Sequence, residues 1–275
     1  MNISQEILGS GLTCEVRKVQ IKDQEYAIKL FKDNFSTQLI KKEIHILSQI
    51  DHHNVVHLIE GNHKERYMIT ELLEKMDLFD ILAKGQKPFS ITSIKYIILQ
   101  LTAAIQYIHK LGFVHRDIKL ENILLDKKLD IKICDFGFAE PINGEFVTRS
   151  SGTLGYLAPE LQNQGLINTT ALPITEVFSL GVCLFILAFA HPPFRQSTKV
   201  CPYWRLISTG QWAKYWQAVD KQNKYNDEFR SLIQGMLEPD PKKRMTIDQV
   251  LDHQFIIGGC KETYQLEVWE RLKIE

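Results

Sequence analysis

The sequence has few cysteines, and they lack the spacing of a disulfide framework or a zinc site. The five cysteines are scattered without a Cys-x-x-Cys pair, and no ligand cluster surrounds His52 and His53. An odd, unpatterned cysteine count is typical of reduced thiols. The N-terminus also lacks the basic start and apolar run of a secretory signal peptide. These absences favour the cytoplasm, with the nucleus as the alternative, over the disulfide-rich secreted class.

Net charge and membrane-length apolar runs are also lacking. The 33 basic and 33 acidic residues cancel over 275 residues, so charge gives no reason to expect nucleic acid or an anionic membrane as a partner. The longest apolar run, Val177 to Ala190, has 14 residues. Since a membrane span needs about 20 residues, we predict a buried core helix there.

The apolar pattern divides the chain into a strand-rich part and a helix-rich part, with no internal repeat. Runs rich in β-branched and aromatic residues predict strands at 6–8, 16–19, 26–30 and 67–70. Apolar residues at helical spacing predict one helix near 37–50 and a long helix over 94–108. Two short strands are predicted at 123–125 and 129–133, and only helices are predicted beyond Glu160.

These elements predict an α+β fold for one domain over residues 1–275. A small β-rich lobe would occupy residues 1–70, a connector residues 71–75, and a larger α-rich lobe residues 76–275. A cleft between two such lobes is a natural ligand site.

Two polar motifs carry the chemistry. His115-Arg116-Asp117-Ile118-Lys119-Leu120-Glu121-Asn122 is followed by Asp135-Phe136-Gly137, 13 positions after the Asn. Phosphoryl transfer needs a carboxylate to orient a hydroxyl, a cation beside the moving phosphoryl group, and oxygen ligands for magnesium. Together the two motifs supply each of these groups.

The motifs resemble the catalytic loop and the magnesium loop of eukaryotic protein kinases. This resemblance implies that Asp117 is the catalytic base, that Lys119 stabilises the γ-phosphate, and that Asn122 and Asp135 hold Mg²⁺, or else Mn²⁺. A lysine at position 119 is similar to serine/threonine kinases. The resemblance runs from about Ile7 to Ile256 and implies the bilobal kinase fold. Two further motifs, Gly155-Tyr156-Leu157-Ala158-Pro159-Glu160 and His191-Pro192-Pro193-Phe194, are most similar to the calmodulin-dependent branch.

The resemblance also implies an ATP site in the cleft. Gly9 and Gly11 would let the backbone approach phosphates, although Cys14 stands where kinases carry a third glycine. Lys29 and Glu43 would form the pair that holds the α- and β-phosphates. Thr70 would lie behind the adenine. The full set of expected ATP contacts is Leu8, Gly9, Gly11, Val16, Ala27, Lys29, Glu71, Leu73, Asp77, Leu124 and Asp135.

Protein substrates are the partners that the resemblance implies. Thr153 would help to select hydroxyl substrates, and Glu121 either meets a basic substrate side chain or is an ordinary exposed glutamate. Candidate phosphorylation sites are Thr148, Ser150 and Ser151. Glu160 and Arg244 are expected to form a buried structural ion pair.

Besides Cys14, three further residues depart from the kinase pattern. Glu176 replaces the usual aspartate, and its extra methylene could displace the carboxylate that anchors the catalytic loop. Arg149 lies where many relatives carry a phosphorylated threonine, and Glu140 lies where a basic residue is common. We therefore expect Arg149 or Glu140 to replace part of the role of a phosphate by pairing within the segment.

The main hypothesis is a monomeric serine/threonine kinase that acts in signalling. The alternative is a pseudokinase that binds nucleotide or partner proteins, which only Cys14 and Glu176 favour. Since the chain stops near the end of the resemblance, any calmodulin-binding or autoinhibitory segment would lie outside it. The amphipathic segment 263–275 is expected to dock on the large lobe.

Overall fold

The computed structural model describes residues 1–73, 76–149 and 151–273, and it contains a β-rich and a helical lobe. An antiparallel sheet with strand order β1-β2-β3-β5-β4 forms the first lobe, together with helix α1. These elements are β1 (Asn2–Ser10), β2 (Cys14–Ile21), β3 (Gln24–Phe31), α1 (Thr37–Leu47), β4 (Leu58–Asn62) and β5 (Tyr67–Glu71). The predicted strands and helix of this lobe are confirmed, but β1 is longer at both ends and β4 was not predicted.

The central position of β3 in the sheet determines which side chains face the cleft. Lys29 pairs with Val16 on one side and with Met68 on the other, and Ala27 pairs with Thr70. Successive strand residues alternate between the two faces, so Ala27 and Lys29 point to the same face. The sheet register therefore brings these residues from β2, β3 and β5 to one place.

Helices dominate the second lobe. They are α2 (Leu78–Gly85), α3 (Ile91–Lys110), α4 (Pro173–Phe189), α5 (Pro202–Ser208), α6 (Trp212–Val219), α7 (Asp227–Met236), α8 (Ile247–Leu251) and α9 (Lys261–Leu272). The predicted apolar stripe of α3 is buried, and α4 is buried on almost every side. A helix that is apolar all round belongs in a core.

Two of these helical stretches are longer than the others. Within the described residues, Ile91–Lys110 and Thr169–Phe189 are long and apolar enough to cross a membrane by length and composition. In this structure 50% of the apolar window of the first and 78% of that of the second are buried inside the protein. They are the helices around which the lobe packs.

Short strands flank the two polar motifs in the helical lobe. They are β6 (Phe113–Val114), β7 (Ile123–Leu125), β8 (Ile131–Ile133), β9 (Glu140–Pro141), β10 (Phe146–Thr148) and β11 (Leu166–Asn168). β7 pairs with β8, β6 with β9, and β10 with β11. The prediction of a strand from residue 129 was wrong by two residues, since Leu129 has a φ of 64° and lies in the turn.

The prediction that only helices follow Glu160 was also wrong. β11 pairs with β10 in register Phe146–Asn168, Val147–Ile167 and Thr148–Leu166. Strands of two or three residues are too short to show a period in the sequence, and their partners are distant along the chain.

The C-terminal helix α9 docks on α2 and α3, as its amphipathic pattern indicates. Arg271 is buried, donates hydrogen bonds to the carbonyls of Lys87 and Pro88, and lies 3.9 Å from the ring of Phe89. Glu267 accepts hydrogen bonds from Ser90 and Ser93. Ile274 and Glu275, the end of the predicted docking segment, lie outside the described residues.

Glu160 and Arg244 form the predicted ion pair. Two nitrogens of Arg244 contact the two carboxylate oxygens of Glu160 at 2.6 and 3.0 Å. The side chain of Arg244 is 0% exposed and that of Glu160 is 17% exposed. A bidentate pair out of water is costly to break from one side, because the remaining charge stays buried.

We expect Arg244→Met to lower the free energy of unfolding by about 3–5 kcal/mol, because Glu160 is left without its partner. Urea denaturation followed by circular dichroism measures this. The double variant Arg244→Met/Glu160→Met should be less destabilised than Arg244→Met. A double variant as unstable as the sum of both single variants would show that the unpaired charge is not the cause.

Candidate active site

A cavity of about 480 Å³ lies between the two lobes. This volume is within the usual range for small-molecule and cofactor sites. Every predicted ATP contact except Asp77 lines it, and so does Thr70. The lining residues that the sequence did not single out as contacts are Ser10, Cys14, Val56, Met68, Leu72, Glu121, Asn122 and Cys134.

Asp77 lies outside the residues that line the cavity. Its carboxylate accepts a hydrogen bond from the backbone of Asp80 at 2.8 Å and caps α2. Burial raises its pKa. An aspartate directly before a helix has this capping role by default, so contact between Asp77 and a nucleotide stays a prediction.

Met68 and Leu72 could have been found from the sequence, since they flank Thr70 at alternating positions. Val56 and Cys134 could not. Val56 donates its backbone N–H to the carbonyl of Ile133, at the end of β8. This contact joins two segments that are distant along the chain and places Val56 and Cys134 at the cavity. No local sequence pattern predicts such a contact.

Lys29, Glu43 and Asp135 meet at one side of the cavity. The ammonium of Lys29 lies 2.6 Å from Glu43 and 2.9 Å from Asp135. Burial alone would lower the pKa of Lys29, but these two carboxylates more than offset it, so the pKa is raised. Burial would likewise raise the pKa of Asp135, but Lys29 lowers it. The site therefore holds a permanent cation beside an ionised carboxylate.

Asp117 is held by four contacts. Its Oδ1 accepts hydrogen bonds from the backbone N–H and the hydroxyl of Thr153 at 3.0 and 2.9 Å. Its Oδ2 accepts from Asn122 Nδ2 at 3.0 Å and lies 2.8 Å from the ammonium of Lys119. Lys119 also donates to the Thr153 hydroxyl at 2.9 Å. The carboxylate of Asp117 is thus fixed in direction and has a cation beside it.

The loop around Asp117 and the loop of Asp135 are joined directly. Cys134 donates its backbone N–H to the carbonyl of Asn122 at 2.9 Å, and the ring of His115 donates to the carbonyl of Cys134 at 2.9 Å. The rings of His115 and Phe136 pack edge to face at 4.7 Å. These contacts fix the two motifs relative to each other and give His115 and Phe136 a structural role.

Left-handed backbone conformations occur at both motifs. Arg116 has a φ of 69° and Asp135 a φ of 63°. Each costs a non-glycine residue about 1–3 kcal/mol, and such residues persist where the surrounding contacts hold them. This conformational cost is typical of functional sites, where the backbone at Arg116 and Asp135 sets the direction of the neighbouring side chains.

Asn122 and Asp135 suit a hard divalent cation. The amide nitrogen of Asn122 is turned to Asp117, which leaves its oxygen as the free ligand. Asp135 adds an ionised carboxylate. Magnesium is typically held by one or two such oxygens together with substrate phosphates, rather than by a full protein cage. Accordingly, no group of three or more His, Cys, Asp or Glu residues suited to a metal occurs in the described residues.

The turn between β1 and β2 tolerates Cys14 without strain. Cys14 begins β2 and pairs with Phe31, and its φ is not positive. Its carbonyl accepts a hydrogen bond from the backbone N–H of Gly11 at 2.9 Å. The carbonyl of Gly11 in turn accepts from the ammonium of Lys32 at 2.7 Å. The turn is therefore closed by hydrogen bonds although Cys14 replaces the third glycine.

Comparison with known proteins identifies the family. A model of the protein kinase domain matches residues 3–256. The chain belongs to the protein kinase family.

Similar kinases include a probable serine/threonine-protein kinase, fhkC, of Dictyostelium discoideum, 31% identical over 98% of this chain. A probable myosin light chain kinase of the same organism is 34% identical over 91% of this chain. The liver/testis phosphorylase b kinase gamma catalytic chain of Bos taurus is 31% identical over 91%.

This kinase domain spans 46%, 53% and 65% of the lengths of these three relatives, respectively. The relatives are named serine/threonine, myosin light chain and phosphorylase kinases. They confirm the predicted serine/threonine type and the resemblance to the calmodulin-dependent branch.

The two residues expected to select substrates, Glu121 and Thr153, both make hydrogen bonds that join the catalytic loop to its neighbours. The carboxylate of Glu121 lines the cavity and accepts a hydrogen bond from the hydroxyl of Tyr156 at 2.9 Å. Burial is the first cause of the raised pKa of Tyr156, and Glu121 adds to it. The carboxylate of Glu121 is therefore held in place by the hydroxyl of Tyr156.

The candidate phosphorylation sites lie in a segment that already has internal contacts. Thr148 is exposed at the end of β10, and its carbonyl accepts a hydrogen bond from the guanidinium of Arg116. Arg149 donates to the carbonyls of Leu166 and Glu160 at 2.7 and 3.1 Å. Ser151 is half-buried. Ser150 lies outside the described residues.

Glu176 reaches the catalytic loop despite the longer side chain. One oxygen accepts the backbone N–H of Arg116 at 2.5 Å, and the other accepts the ring N–H of His109 at 2.6 Å. Burial would raise the pKa of Glu176, but these two donors lower it. The sequence indicated a displaced anchor. The contact is present because β6 and α3 bring both donors to the end of this side chain.

We expect Glu176→Gln to lower the free energy of unfolding at pH 7 by about 2–3 kcal/mol, because two hydrogen bonds to a charged group are weakened. Since the folded-state pKa of Glu176 is below its usual value of 4.5, the stabilisation is present above pH 4.5 and is lost as pH falls through the folded-state pKa.

The difference in unfolding free energy between the parent and Glu176→Gln should therefore shrink below pH 4.5. Urea denaturation from pH 7 to pH 3 measures it, with Glu176→Asp as the variant that keeps the charge. A difference that stays constant over this range would show that the ionised carboxylate of Glu176 is not the source of the stabilisation.

Proposed function

We propose that this domain is an active serine/threonine protein kinase that transfers the γ-phosphoryl group of ATP to serine or threonine hydroxyls of proteins. The observation that carries the proposal is the meeting of Lys29, Glu43 and Asp135 at one side of the cavity, with Asp117 and Lys119 on the adjoining loop. Charged groups of both signs are held there by hydrogen bonds before any substrate arrives. Such preorganisation is the main source of catalysis in phosphoryl transfer.

Each group has a distinct task in this proposal. Lys29, fixed by Glu43, binds the α- and β-phosphates. Asp117 accepts a hydrogen bond from the substrate hydroxyl and orients it towards the γ-phosphate. Lys119, 2.8 Å from Asp117, offsets the negative charge that develops on the transferred group. The apolar side chains of Leu8, Val16, Ala27 and Leu124, which line the cavity, would enclose the adenine.

Asn122 and Asp135 would hold magnesium, or manganese, which neutralises phosphate charge when bound. Asp135 suits this task because its lowered pKa keeps it ionised at neutral pH. The left-handed backbone of Asp135 aims the carboxylate into the cleft beside Lys29.

We further propose that residues 1–275 act as one monomeric kinase domain in cytoplasmic signalling, with protein substrates and neither nucleic acid nor a membrane as partners. The balanced charge supports the part of this proposal that concerns nucleic acid and anionic membranes. The scattered, unpatterned cysteines support the cytoplasm.

The first test is ATP-dependent phosphorylation of a degenerate serine/threonine peptide library with magnesium, in parallel with Asp117→Asn. We expect signal from the parent and a fall of about 10³-fold or more in the variant, because the oriented carboxylate is lost. Nucleotide binding, measured by thermal shift, should persist in the variant.

Two outcomes would count against activity. Absence of phosphorylation by the parent, with nucleotide binding intact, would support a pseudokinase instead. Equal phosphorylation by the parent and by Asp117→Asn would place the activity in a contaminating enzyme.

The position of Glu121 generates a prediction about specificity. We expect Glu121→Gln to weaken the selection of substrates with a basic residue near the acceptor by about tenfold, since one charge-assisted hydrogen bond is removed. Tyr156→Phe is the matched control, because it removes the hydroxyl that binds Glu121 and keeps the carboxylate. The same peptide library reports both variants, and an unchanged preference in Glu121→Gln would leave Glu121 without a role in selection.

A further inference from the structure

Glu140 bridges two elements that carry active-site residues. It begins β9, five residues after Asp135. Its carboxylate lies 2.6 Å from the ammonium of Lys42 on α1 and 3.7 Å from the guanidinium of Arg116 in the catalytic loop. The side chains of Glu140, Lys42 and Arg116 are 17%, 25% and 4% exposed. Because these charges are partly removed from water, salt screens them less than surface pairs.

The two cations that Glu140 binds are the direct neighbours of active-site residues. Lys42 precedes Glu43, the partner of Lys29, and Arg116 precedes Asp117. One carboxylate therefore connects the helix that fixes Lys29 to the loop that presents Asp117. A movement of α1 away from the catalytic loop would have to break the contact between Lys42 and Glu140.

The segment that follows Glu140 is also held without a phosphate. The second arm of the Arg116 guanidinium donates to the carbonyl of Thr148, and β10 pairs with β11 along its whole length. Arg149 binds the carbonyls of Leu166 and Glu160. A phosphate added on this segment would have to compete with Glu140 for Arg116.

We propose that Glu140 is a positioning residue that holds α1 against the catalytic loop, so that this kinase domain is active without phosphorylation of its activation segment. The inference rests on the proposed kinase activity. In kinases that are regulated by phosphorylation, an added phosphate can order a segment by pairing with arginine. Here the carboxylate of Glu140 would have that role.

The test compares phosphatase-treated proteins whose unphosphorylated state is checked by mass spectrometry. The variants are Glu140→Gln, Lys42→Gln, the double variant, and Lys42→Arg, which keeps the cation. Glu145→Gln is the matched control, since Glu145 is an exposed carboxylate of the same segment. Circular dichroism confirms that each protein is folded at the assay temperature.

We expect the parent to keep its kcat after phosphatase treatment, and Glu140→Gln and Lys42→Gln each to lower kcat about tenfold and raise the KM for ATP. The double variant should be no worse than Glu140→Gln, because the pair with Lys42 is already lost in that single variant. Lys42→Arg and Glu145→Gln should stay within about twofold of the parent. A parent that loses its activity on dephosphorylation, or additive losses in the double variant, would overturn the proposal.

Hydrogen–deuterium exchange of residues 37–47 gives a second readout that does not need activity. Exchange in α1 should be faster in Glu140→Gln and Lys42→Gln than in the parent, Lys42→Arg and Glu145→Gln, because α1 opens locally more often. If the parent phosphorylates no peptide but this exchange pattern holds, the proposed function fails and the positioning role stands. Equal exchange in all variants overturns the positioning role whatever the activity.

Discussion

The buried pair between Lys29 and Glu43 is the interaction on which the active site depends. Lys29 lies on the central strand of the sheet and Glu43 on the only long helix packed against it in the described part of the N-terminal lobe. A buried ammonium is unfavourable unless it is paired, so the position of α1 and the charge state of Lys29 are linked. Asp135 joins this pair from the other lobe at 2.9 Å, so the two lobes contact each other at the site through Lys29.

Consecutive residues of α1 extend this dependence. Glu43 pairs with Lys29, whereas Lys42 pairs with Glu140 and through it approaches Arg116. The helix is thus held by one ion pair to the sheet and by another to the second lobe. Because Glu140 is a fixed part of the chain, this second contact needs no added phosphate, unlike a switch that depends on modification.

The catalytic loop is held from the opposite side by Glu176. Its two oxygens accept from Arg116 and His109, so the backbone conformation at Arg116 is supported from α4 and α3. A glutamate can replace the shorter acid here because the two donors lie at the end of its side chain. Departures from a family pattern are therefore best judged by whether the contact is made and not by side-chain length alone.

The sequence by itself determined the elements whose signal is local. The strand patterns of residues 6–30 and 67–70, the apolar stripe of α3 and the apolar run of α4 predicted the two lobes. The resemblance of the Asp117 and Asp135 motifs to protein kinases implied most residues of the cavity. Tertiary structure alone decided what depends on distant partners: the β10–β11 pairing, the approach of Val56 and Cys134 to the cavity, and the contact of Glu140 with Lys42, 98 positions away. Short strands and ion pairs between distant residues leave no period in the sequence, because the groups that stabilise them are brought together only by folding.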